Sequence, residues 1–211
     1  MIPTKEEWMK ALNDRHGIEL QKKISSTTVA VCGLGGLGSN IATSLARAGI
    51  GKLILIDFDK VDITNLHRQQ YKANQIGMCK TEALQNNLKE INPYLETKIH
   101  TICLDESNAK DVLADADIIC EAFDNAEAKA NIVNFVLSEM PDKYIVAASG
   151  MAGLDSANLI KTRKVSKRFY LCGDEVSDIK DGIGLVSTRV MLCAAHQAHT
   201  VLRIIAEEYE V

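Results

Sequence analysis

The chain has 211 residues, of which 46% are hydrophobic and 25% charged, and its formal net charge is −4. These values fit one globular domain, or one domain with a small appendage. They disfavour a nucleic-acid binder, which usually carries a basic excess, and no apolar run approaches the roughly 18–20 residues of a membrane span. Residues 1–10 are polar and acidic rather than a secretory signal, so we expect a cytoplasmic protein with no membrane partner.

Residues 4–150 alternate between helix-like and strand-like patterns. Residues 4–24 predict one or two helices, and residues 28–33 predict a strand that leads through a glycine turn into a helix over 39–48. Four further strands are predicted at 53–56, 98–103, 118–122 and 144–149, with helices at 78–91, 107–115 and 125–139. This alternation predicts an α/β, Rossmann-like fold in which a mainly parallel sheet carries helices on both faces.

After residue 150 the pattern changes. Residues 158–161 and 168–171 are short and strand-like, and we expect them to form antiparallel edge strands. An acidic, glycine-containing loop follows at 172–184, and an alanine-rich helix at 185–205. We therefore expect one domain with three parts: a helical arm (1–26), a core (27–150), and a C-terminal edge, mobile loop and helix (151–211).

Glycines dominate the segment behind the first strand, where the glycine turn, residues 33–38, contains Gly33, Gly35, Gly36 and Gly38. Glycine lets the backbone turn tightly and lets phosphate oxygens reach main-chain N–H groups. The helix N-terminus behind the turn adds the positive end of a dipole. A strand, a glycine turn and a helix in this order predict a nucleotide-binding site in the core.

An NAD-dependent oxidoreductase is one interpretation of such a site. Asp57 lies 19 residues after Gly38, about where an acid binds ribose hydroxyls in dinucleotide folds. However, the chain has no second domain large enough to present a hydride acceptor, and the loop after Asp57 carries charges that hydride transfer does not need. A catalytically silent nucleotide-binding scaffold is a third interpretation.

Charged residues cluster where the predicted strands end. Arg68 lies in the loop after Asp57, Lys80 begins the next helix, and Asp124 follows the fourth strand. Because open α/β sheets bind ligands at the carboxyl ends of their strands, Arg68 and Lys80 could neutralise a triphosphate. Asp124 could ligate its magnesium through oxygen. On spacing alone, charged loop residues are about as often simply solvated.

Three separated motifs resemble the ThiF/MoeB/HesA family of ubiquitin-activating-enzyme-like adenylyltransferases. They are GLGGLGS at 33–39, DFDxVxxxNLxRQ at 57–69 and the DN pair at 124–125. The similarity covers nearly the whole chain and is greatest to a compact ThiF-type member. The resemblance implies ATP-dependent adenylation of the C-terminal glycine of a small ubiquitin-like (ThiS-like) sulfur carrier protein. Pyrophosphate is released, magnesium is required, and thiamine biosynthesis is the expected pathway.

The resemblance also implies roles for individual residues. The ATP-binding residues would be Gly33, Gly35, Gly36, Gly38, Asp57, Asp59, Asn65, Arg68, Gln69 and Lys80. The catalytic residues would be Arg68, Lys80, Asp124 and Arg15, with Asp124 also binding magnesium. Within these sets Asp57 would hold the ribose, and Gln69 would support Arg68. Several relatives supply an arginine from the partner subunit, so the resemblance makes Arg15 the candidate for that contact and implies a homodimer.

The chain also departs from the family pattern. Many full-length members bind a structural zinc through two C-x-x-C pairs, which are missing here, so we expect no zinc site. Cys79 replaces the proline that usually precedes the helix lysine. We interpret the six scattered cysteines as buried, reduced thiols. Cys172 is the least core-like of them and is a candidate for sulfur transfer, although its acidic neighbours would raise its pKa.

The histidines of the last predicted helix leave one further alternative open. His196 and His199 are three residues apart and so share a helix face, which allows a metal pair or, more commonly, a packed or solvated surface.

Overall fold

The chain folds around a single mixed sheet in the computed structural model, which describes residues 2–211. Within this range the sheet has seven strands in the order β3-β2-β1-β4-β5-β7-β6. The strands are β1 (Thr28–Cys32), β2 (Lys52–Ile56), β3 (Glu96–His100), β4 (Ile118–Glu121), β5 (Tyr144–Ala148), β6 (Lys161–Lys164) and β7 (Phe169–Gly173). The helices are α1 (Lys5–His16), α2 (Ile18–Ser26), α3 (Gly36–Ala48), α4 (Lys80–Ile91), α5 (Ala109–Val112), α6 (Ala126–Glu139) and α7 (Ser187–Ile205). The predicted α/β, Rossmann-like fold is confirmed.

β1 lies inside the parallel part of the sheet. It pairs in parallel with β2 on one side and with β4 on the other, so Cys32 is level with both Ile56 and Glu121. The strand order therefore reverses at β1, and open α/β sheets bind ligands in the crevice at such a switch point. The carboxyl ends of β1, β2 and β4 form the edge at which the candidate site lies.

Hydrophobic clusters cover both faces of the sheet. One cluster joins the sheet to α3, α4 and α7 and includes Ile41 and Val201. The other joins it to α5 and α6 and includes Ile54 and Ile132. Because both faces are covered, the run from Leu53 to Ile56 is fully buried and apolar throughout, as the sequence predicted.

The C-terminal edge has the predicted antiparallel pairing, but its strands differ in position. β6 begins where the first strand-like segment was expected to end, and β7 extends to Gly173. Within residues 2–211, β6 and β7 form the only antiparallel strand pair, and β7 lies parallel to β5 on its other side. The hairpin reversal between β6 and β7 gives β7 the direction of β5, so one of the two strands extends the parallel sheet.

Two helices differ most from the predicted bounds, while α4, α6 and α7 begin one or two residues later than expected. α3 begins at Gly36 because the glycine turn itself forms the first turn of the helix, and α5 has only four residues. The loop after β2 contains two 3₁₀ turns, Ile63–Asn65 and Ala73–Gln75. In the part of the chain that the structure describes, no helix has the length and apolar character required to cross a membrane.

The N-terminal arm consists of two helices separated by Gly17, whose φ of 83° is in the region that favours glycine. A capping box formed by Thr4 and Glu7 starts α1. Among the described residues of α1 none is buried, whereas α2 buries Gln21 and Ile24. The arm is therefore anchored through α2, and α1 lies at the surface.

Candidate active site

The glycine turn is packed so closely that side chains would not fit at two of its positions. A Cβ at Gly33 would lie 2.8 Å from the Ala122 carbonyl oxygen, and the φ of Gly33 is 89°. A Cβ at Gly38 would lie 1.8 Å from the Gly33 carbonyl oxygen. The turn leads into α3 at Gly36, where the first N–H groups of a helix lack intrahelical acceptors. This arrangement is suited to an anion such as phosphate.

Asp57 connects the end of β2 to the glycine turn. Its buried carboxylate accepts hydrogen bonds from the Leu34 N–H (2.6 Å, to Oδ2) and from the Asp59 N–H (2.8 Å, to Oδ1). Burial raises the pKa of Asp57, and the nearby Lys80 opposes that shift. Asp57 thus fixes the turn, and its role in binding the ribose remains a prediction.

Lys80 and Asp59 form an ion pair beside Asp57. The Lys80 ammonium lies 2.7 Å from Asp59 Oδ2, and the Lys80 side chain is only 7% exposed. The N–H of Lys80 also donates to the Asp59 carbonyl (2.9 Å). Asp59 therefore holds Lys80, the lysine predicted to contact phosphate, at the start of α4. Asp59 was itself predicted to bind ATP.

Arg68 and Gln69 lie against the glycine turn. A Cβ at Gly36 would be 3.6 Å from Arg68 Cγ and Cδ, and one at Gly35 would be 3.8 Å from Gln69 Nε2. Among the described residues, Arg68 Nε and Gln69 Oε1 are buried without a hydrogen-bond partner. Burial lowers the pKa of Arg68 and Asp124 raises it, but a guanidinium stays charged. The structure thus brings a cation with an unused donor to the anion site.

Asn65 shapes the loop that carries Arg68. Its side-chain oxygen accepts from the Asp62 N–H (2.9 Å), while Asp62 accepts from the Thr64 N–H (2.8 Å). The Asn65 carbonyl accepts from the N–H of Arg68 (3.2 Å) and of Gln69 (3.0 Å). The observed role of Asn65 is to cap this 3₁₀ turn, and its predicted phosphate contact remains a prediction.

Asp124 is exposed in the segment between β4 and α6, and its charge opposes the lowering of the Arg68 pKa by burial. Among the described residues, no group of three or more His, Cys, Asp or Glu could hold a metal ion. A single carboxylate beside a phosphate site nevertheless fits magnesium, which commonly binds through one or two carboxylates together with substrate phosphates. Arg15 is exposed in the last turn of α1, and its action across a dimer interface remains a prediction.

The match to a known family decides the classification of this site. The model of the ThiF family matches residues 9–211. The chain belongs to the ThiF family. The match includes the glycine turn, the Asp57–Gln69 loop and Asp124, so it covers the arrangement described above.

Named relatives of this ThiF-family chain are similar over part of their length. "Adenylyltransferase and sulfurtransferase MOCS3" of Caenorhabditis briggsae is 40% identical over 119 residues, which are 56% of this chain and 30% of the relative. "Ubiquitin-like modifier-activating enzyme 5" of the same species is 37% identical over 129 residues, again 56% and 30%. "Adenylyltransferase and sulfurtransferase UBA4" of Lodderomyces elongisporus is 29% identical over 199 residues, 91% of this chain and 43% of the relative. The ThiF-family chain thus spans less than half the length of these relatives.

Solved structures share the fold of this ThiF-family chain. Escherichia coli tRNA N6-threonylcarbamoyladenosine dehydratase, TcdA, in complex with AMP, superposes with a TM-score of 0.85 at 19% identity over 99% of this chain and 98% of that chain. E. coli MccB superposes with a TM-score of 0.71 at 22% identity over 90% of this chain and 60% of that chain. At these identities the likeness is one of fold.

Cys172, the least core-like cysteine by sequence, lies in the hydrophobic core of this ThiF-family chain. β7 continues through Cys172, which is fully buried, and burial raises the pKa of its thiol. Cys32, Cys120 and Cys193 are also buried, whereas Cys79 is half-buried and Cys103 is exposed. The prediction that the cysteines are buried is therefore correct for four of the six, and Cys172 is not accessible for sulfur transfer in this conformation.

The two histidines of α7 do not form a metal site with other described residues. His196 Nδ1 lies 3.0 Å from Thr162 Oγ1, so its ring connects α7 to β6. His196 thus fits the packed alternative that the sequence left open, whereas His199 is exposed.

The structure contains two buried ion pairs that the sequence patterns did not predict. Glu121, at the end of β4, is paired with Lys129 of α6, and Asp174, after β7, is paired with Arg189 of α7. A charged residue in the apolar run of β4 is a signal that could have identified Glu121, because an unpaired buried carboxylate is costly. No comparable signal marks Asp174, which lies in a stretch of acidic residues.

Proposed function

We propose that this chain is an ATP-dependent adenylyltransferase that acts on the C-terminal carboxylate of a small ubiquitin-like sulfur carrier protein. The observation that carries the proposal is a glycine turn that leads into α3, with Arg68 against Gly36 and with Ala122 and Phe123, which precede Asp124, against Gly33. The relatives named as adenylyltransferases or ubiquitin-like modifier-activating enzymes support this activity. TcdA, whose solved structures contain ATP or AMP, supports ATP as the nucleotide.

The proposed reaction needs charge stabilisation rather than a base. A C-terminal carboxyl group has a pKa of roughly 3.3–3.7 and is ionised at neutral pH. One carboxylate oxygen forms a bond to the α-phosphorus of ATP, the bond from that phosphorus to the bridging oxygen breaks, and pyrophosphate leaves with the electron pair. The difficulty is that an anion must approach a polyanion.

The residues of the chain reduce that repulsion in different ways. The helix N-terminus and the N–H groups of the glycine turn would bind phosphate oxygens. Arg68 would place a fixed cation beside them, and such preorganised charges stabilise the developing charge in the transition state. Lys80, held by Asp59, would add a second cation. Magnesium held at Asp124 would neutralise charge on the triphosphate and on the leaving pyrophosphate.

We further propose that the carrier is ThiS-like and that the enzyme serves thiamine biosynthesis in the cytoplasm. This finer proposal rests on the compact ThiF-type sequence pattern. TcdA and MccB share the fold at 18–23% identity and carry other names, so the fold leaves the carrier open. The carrier must therefore be identified by assay.

Carrier-dependent exchange of labelled pyrophosphate into ATP tests the proposal. The purified protein is mixed with ATP, magnesium and either a ThiS-like or a MoaD-like carrier. We expect exchange with the ThiS-like carrier and none with the same carrier lacking its terminal glycine. Exchange with another carrier alone would reject the thiamine assignment. ATP binding without exchange for any carrier would indicate a silent scaffold, and binding of NADH but not ATP would indicate an oxidoreductase.

The proposed enzyme is a homodimer in which Arg15 of one subunit reaches the phosphates bound by the other. The exposed position of Arg15 on α1 is compatible with this role. Arg15→Ala and Arg68→Ala should each be nearly inactive alone, and a mixed dimer should regain one intact site. No recovery after verified subunit exchange would reject the shared site.

A further inference from the structure

Glu121 is a charged side chain in the interior of the sheet. It ends β4, is fully buried, and is level with Cys32 of β1. Lys129 of α6 reaches it with one ammonium group, 2.7 Å from Oε1 and 2.5 Å from Oε2. Burial raises the pKa of Glu121, whereas Lys129 opposes the shift. A buried ion pair of this kind is weak evidence for stability, because well-packed apolar side chains often stabilise as much or more.

The hydrogen bonds of Glu121 indicate what the pair holds in place. Its Oε1 also accepts from the Phe123 N–H (2.7 Å), two residues further along the chain. Its main-chain carbonyl accepts from Gln197 Nε2 of α7 (3.0 Å), and the same amide donates to the Val146 carbonyl of β5 (3.2 Å). Glu121 thus holds the first half of the turn that follows β4 in place.

The second half of this turn is fastened by α6. The Asn125 side chain accepts from the Ala128 N–H (2.9 Å), and the Asn125 carbonyl accepts from the Lys129 N–H (3.0 Å). Lys129 therefore contacts both ends of the turn, since its ammonium group pairs with Glu121 and its backbone N–H donates to the Asn125 carbonyl. Asp124 lies exposed between the two fastened ends.

The turn also lies directly against the glycine turn. The Ala122 N–H donates to the Cys32 carbonyl (2.8 Å). The closest atom to a Cβ placed at Gly33 is the Ala122 carbonyl oxygen, and Phe123 Cδ1 would lie 3.1 Å from it. A displacement of residues 122–125 would therefore change the distance between Asp124 and a nucleotide on the glycine turn.

We infer that the Glu121–Lys129 pair is a positioning device that fixes Asp124 relative to the glycine turn and so determines how tightly a metal–nucleotide complex is bound. The inference rests on the proposed function, in which Asp124 ligates the metal. Neither Glu121 nor Lys129 contacts the metal in this scheme. Both act through the backbone of residues 122–125, as outer-sphere partners do when they orient a ligand.

Binding of Mn²⁺, used as a paramagnetic probe for Mg²⁺, tests the inference without requiring turnover. The protein is saturated with α,β-methylene ATP, and the Mn²⁺ dissociation constant is measured by water-proton relaxation. Lys129→Met, which keeps an unbranched side chain, is expected to weaken Mn²⁺ binding by about tenfold, as outer-sphere substitutions do. Lys129→Arg keeps the positive charge, so this variant should retain much of the Mn²⁺ affinity that Lys129→Met loses. Ile132→Val, a buried change on the same helix away from the turn, is the matched control and should leave the constant unchanged.

A double-mutant cycle with Asp124→Asn separates positioning from a general loss of structure. If Lys129 acts through Asp124, the combined variant should bind Mn²⁺ no more weakly than Asp124→Asn alone, since coupled residues are not additive. A purely structural role would lower the folded fraction while the folded protein kept the wild-type constant. If Lys129→Met does not fold, Glu121→Gln, which preserves the size of the side chain, replaces it in the cycle.

The outcomes separate this inference from the proposed function. Additive effects in the cycle, or unchanged Mn²⁺ binding in Lys129→Met, would overturn the inference even if carrier-dependent exchange is observed. Absence of exchange in the wild type, with Mn²⁺ coupling between Lys129 and Asp124 intact, would reject adenylation and support the positioning pair.

Discussion

Two regions that follow the carboxyl ends of the parallel strands are built differently. The glycine side comprises the glycine turn and residues 57–69, and it is held by short main-chain hydrogen bonds and by close backbone packing. The loop side comprises residues 150–160 and 174–186, the segments that follow β5 and β7, and its side chains at Leu154, Val176 and Ile183 are mostly exposed. A buried ion pair between Arg189 of α7 and Asp174 is one of the contacts that hold the loop side.

The anchor of the loop side is a network around two buried charges. Arg189 NH2 donates to Asp174 Oδ2, and Arg189 NH1 donates to the carbonyls of Asp155 and Ser156. Asp174 Oδ1 accepts from the N–H groups of Val176 (2.9 Å) and Ser177 (2.8 Å). A single ion pair thus joins the segments after β5 and β7 to α7. The comparison indicates that close backbone packing gives the glycine side its shape, whereas the charges of Asp174 and Arg189 organise the loop side.

The largest expected effect comes from breaking that anchor. Arg189→Met leaves the Asp174 carboxylate buried without its cation, and removal of one partner of a buried pair typically costs about 3–5 kcal/mol. We expect a decrease of that size in the free energy of unfolding, measured with urea. Arg163→Met removes the partner of Glu175 in an exposed pair nearby and serves as the control, with a far smaller change. Equal decreases in the free energy of unfolding in the two variants would contradict a stabilising role for the Asp174–Arg189 pair.

On the glycine side, the largest effect should be on catalysis rather than on stability. Arg68→Ala removes a half-buried cation from a polar loop and opens no cavity in the core. Loss of one preorganised charge contact typically costs about 3–4 kcal/mol of transition-state stabilisation. We therefore expect pyrophosphate exchange to decrease by two to three orders of magnitude, about what that cost implies, with an unchanged urea midpoint. Near-normal exchange would remove Arg68 from the site, and a lowered midpoint would show a structural role.

The two sides also differ in how far the sequence predicts them. The glycine turn, Asp57 and the Arg68 loop follow from local sequence together with the rule that ligands bind where parallel strands end. The buried state of Cys172 does not, because it depends on β7 pairing with β5, a long-range choice that a short strand-like segment leaves open. The pairing of Asp174 with Arg189 and of Glu121 with Lys129 likewise joins different elements, so sequence spacing gives no direct indication of either contact.

The pH dependence of stability should differ in sign between the two sides. Burial acts to raise the pKa of Asp174, but hydrogen bonds from Ser177 and Val176 and the pairing with Arg189 outweigh it and lower the pKa from 3.8 to about 2. A lowered folded-state pKa stabilises the fold above the unfolded-state value, and this contribution is lost as pH falls from about 4 towards 2. Burial raises the pKa of Asp57, so its contribution has the opposite sign and decreases as pH rises through the folded-state value.

Asp174→Asn and Asp57→Asn can measure this difference. We expect the gap in unfolding free energy between wild type and Asp174→Asn to narrow as pH falls from 5 to 3. For Asp57→Asn, any change in the corresponding gap in unfolding free energy should be a widening as pH falls over the same range. Urea unfolding at several pH values gives both gaps, and a constant gap for Asp174→Asn would show that its carboxylate keeps the same pKa on unfolding.

The smallest expected effect concerns the exposed side chains of the loop side. Val176 is 85% exposed, whereas Val146 in β5 is fully buried. Val176→Ser removes little buried apolar surface, so we expect the free energy of unfolding to change by no more than about 0.5 kcal/mol. Val146→Ser, the same substitution in the core, removes buried methyl groups and places a hydroxyl among them, and should cost several times more. If Val176→Ser were as destabilising as Val146→Ser, the loop side would contain a packed core of its own. The contrast between a locally packed glycine side and a loop side held by Asp174 and Arg189 would then fail.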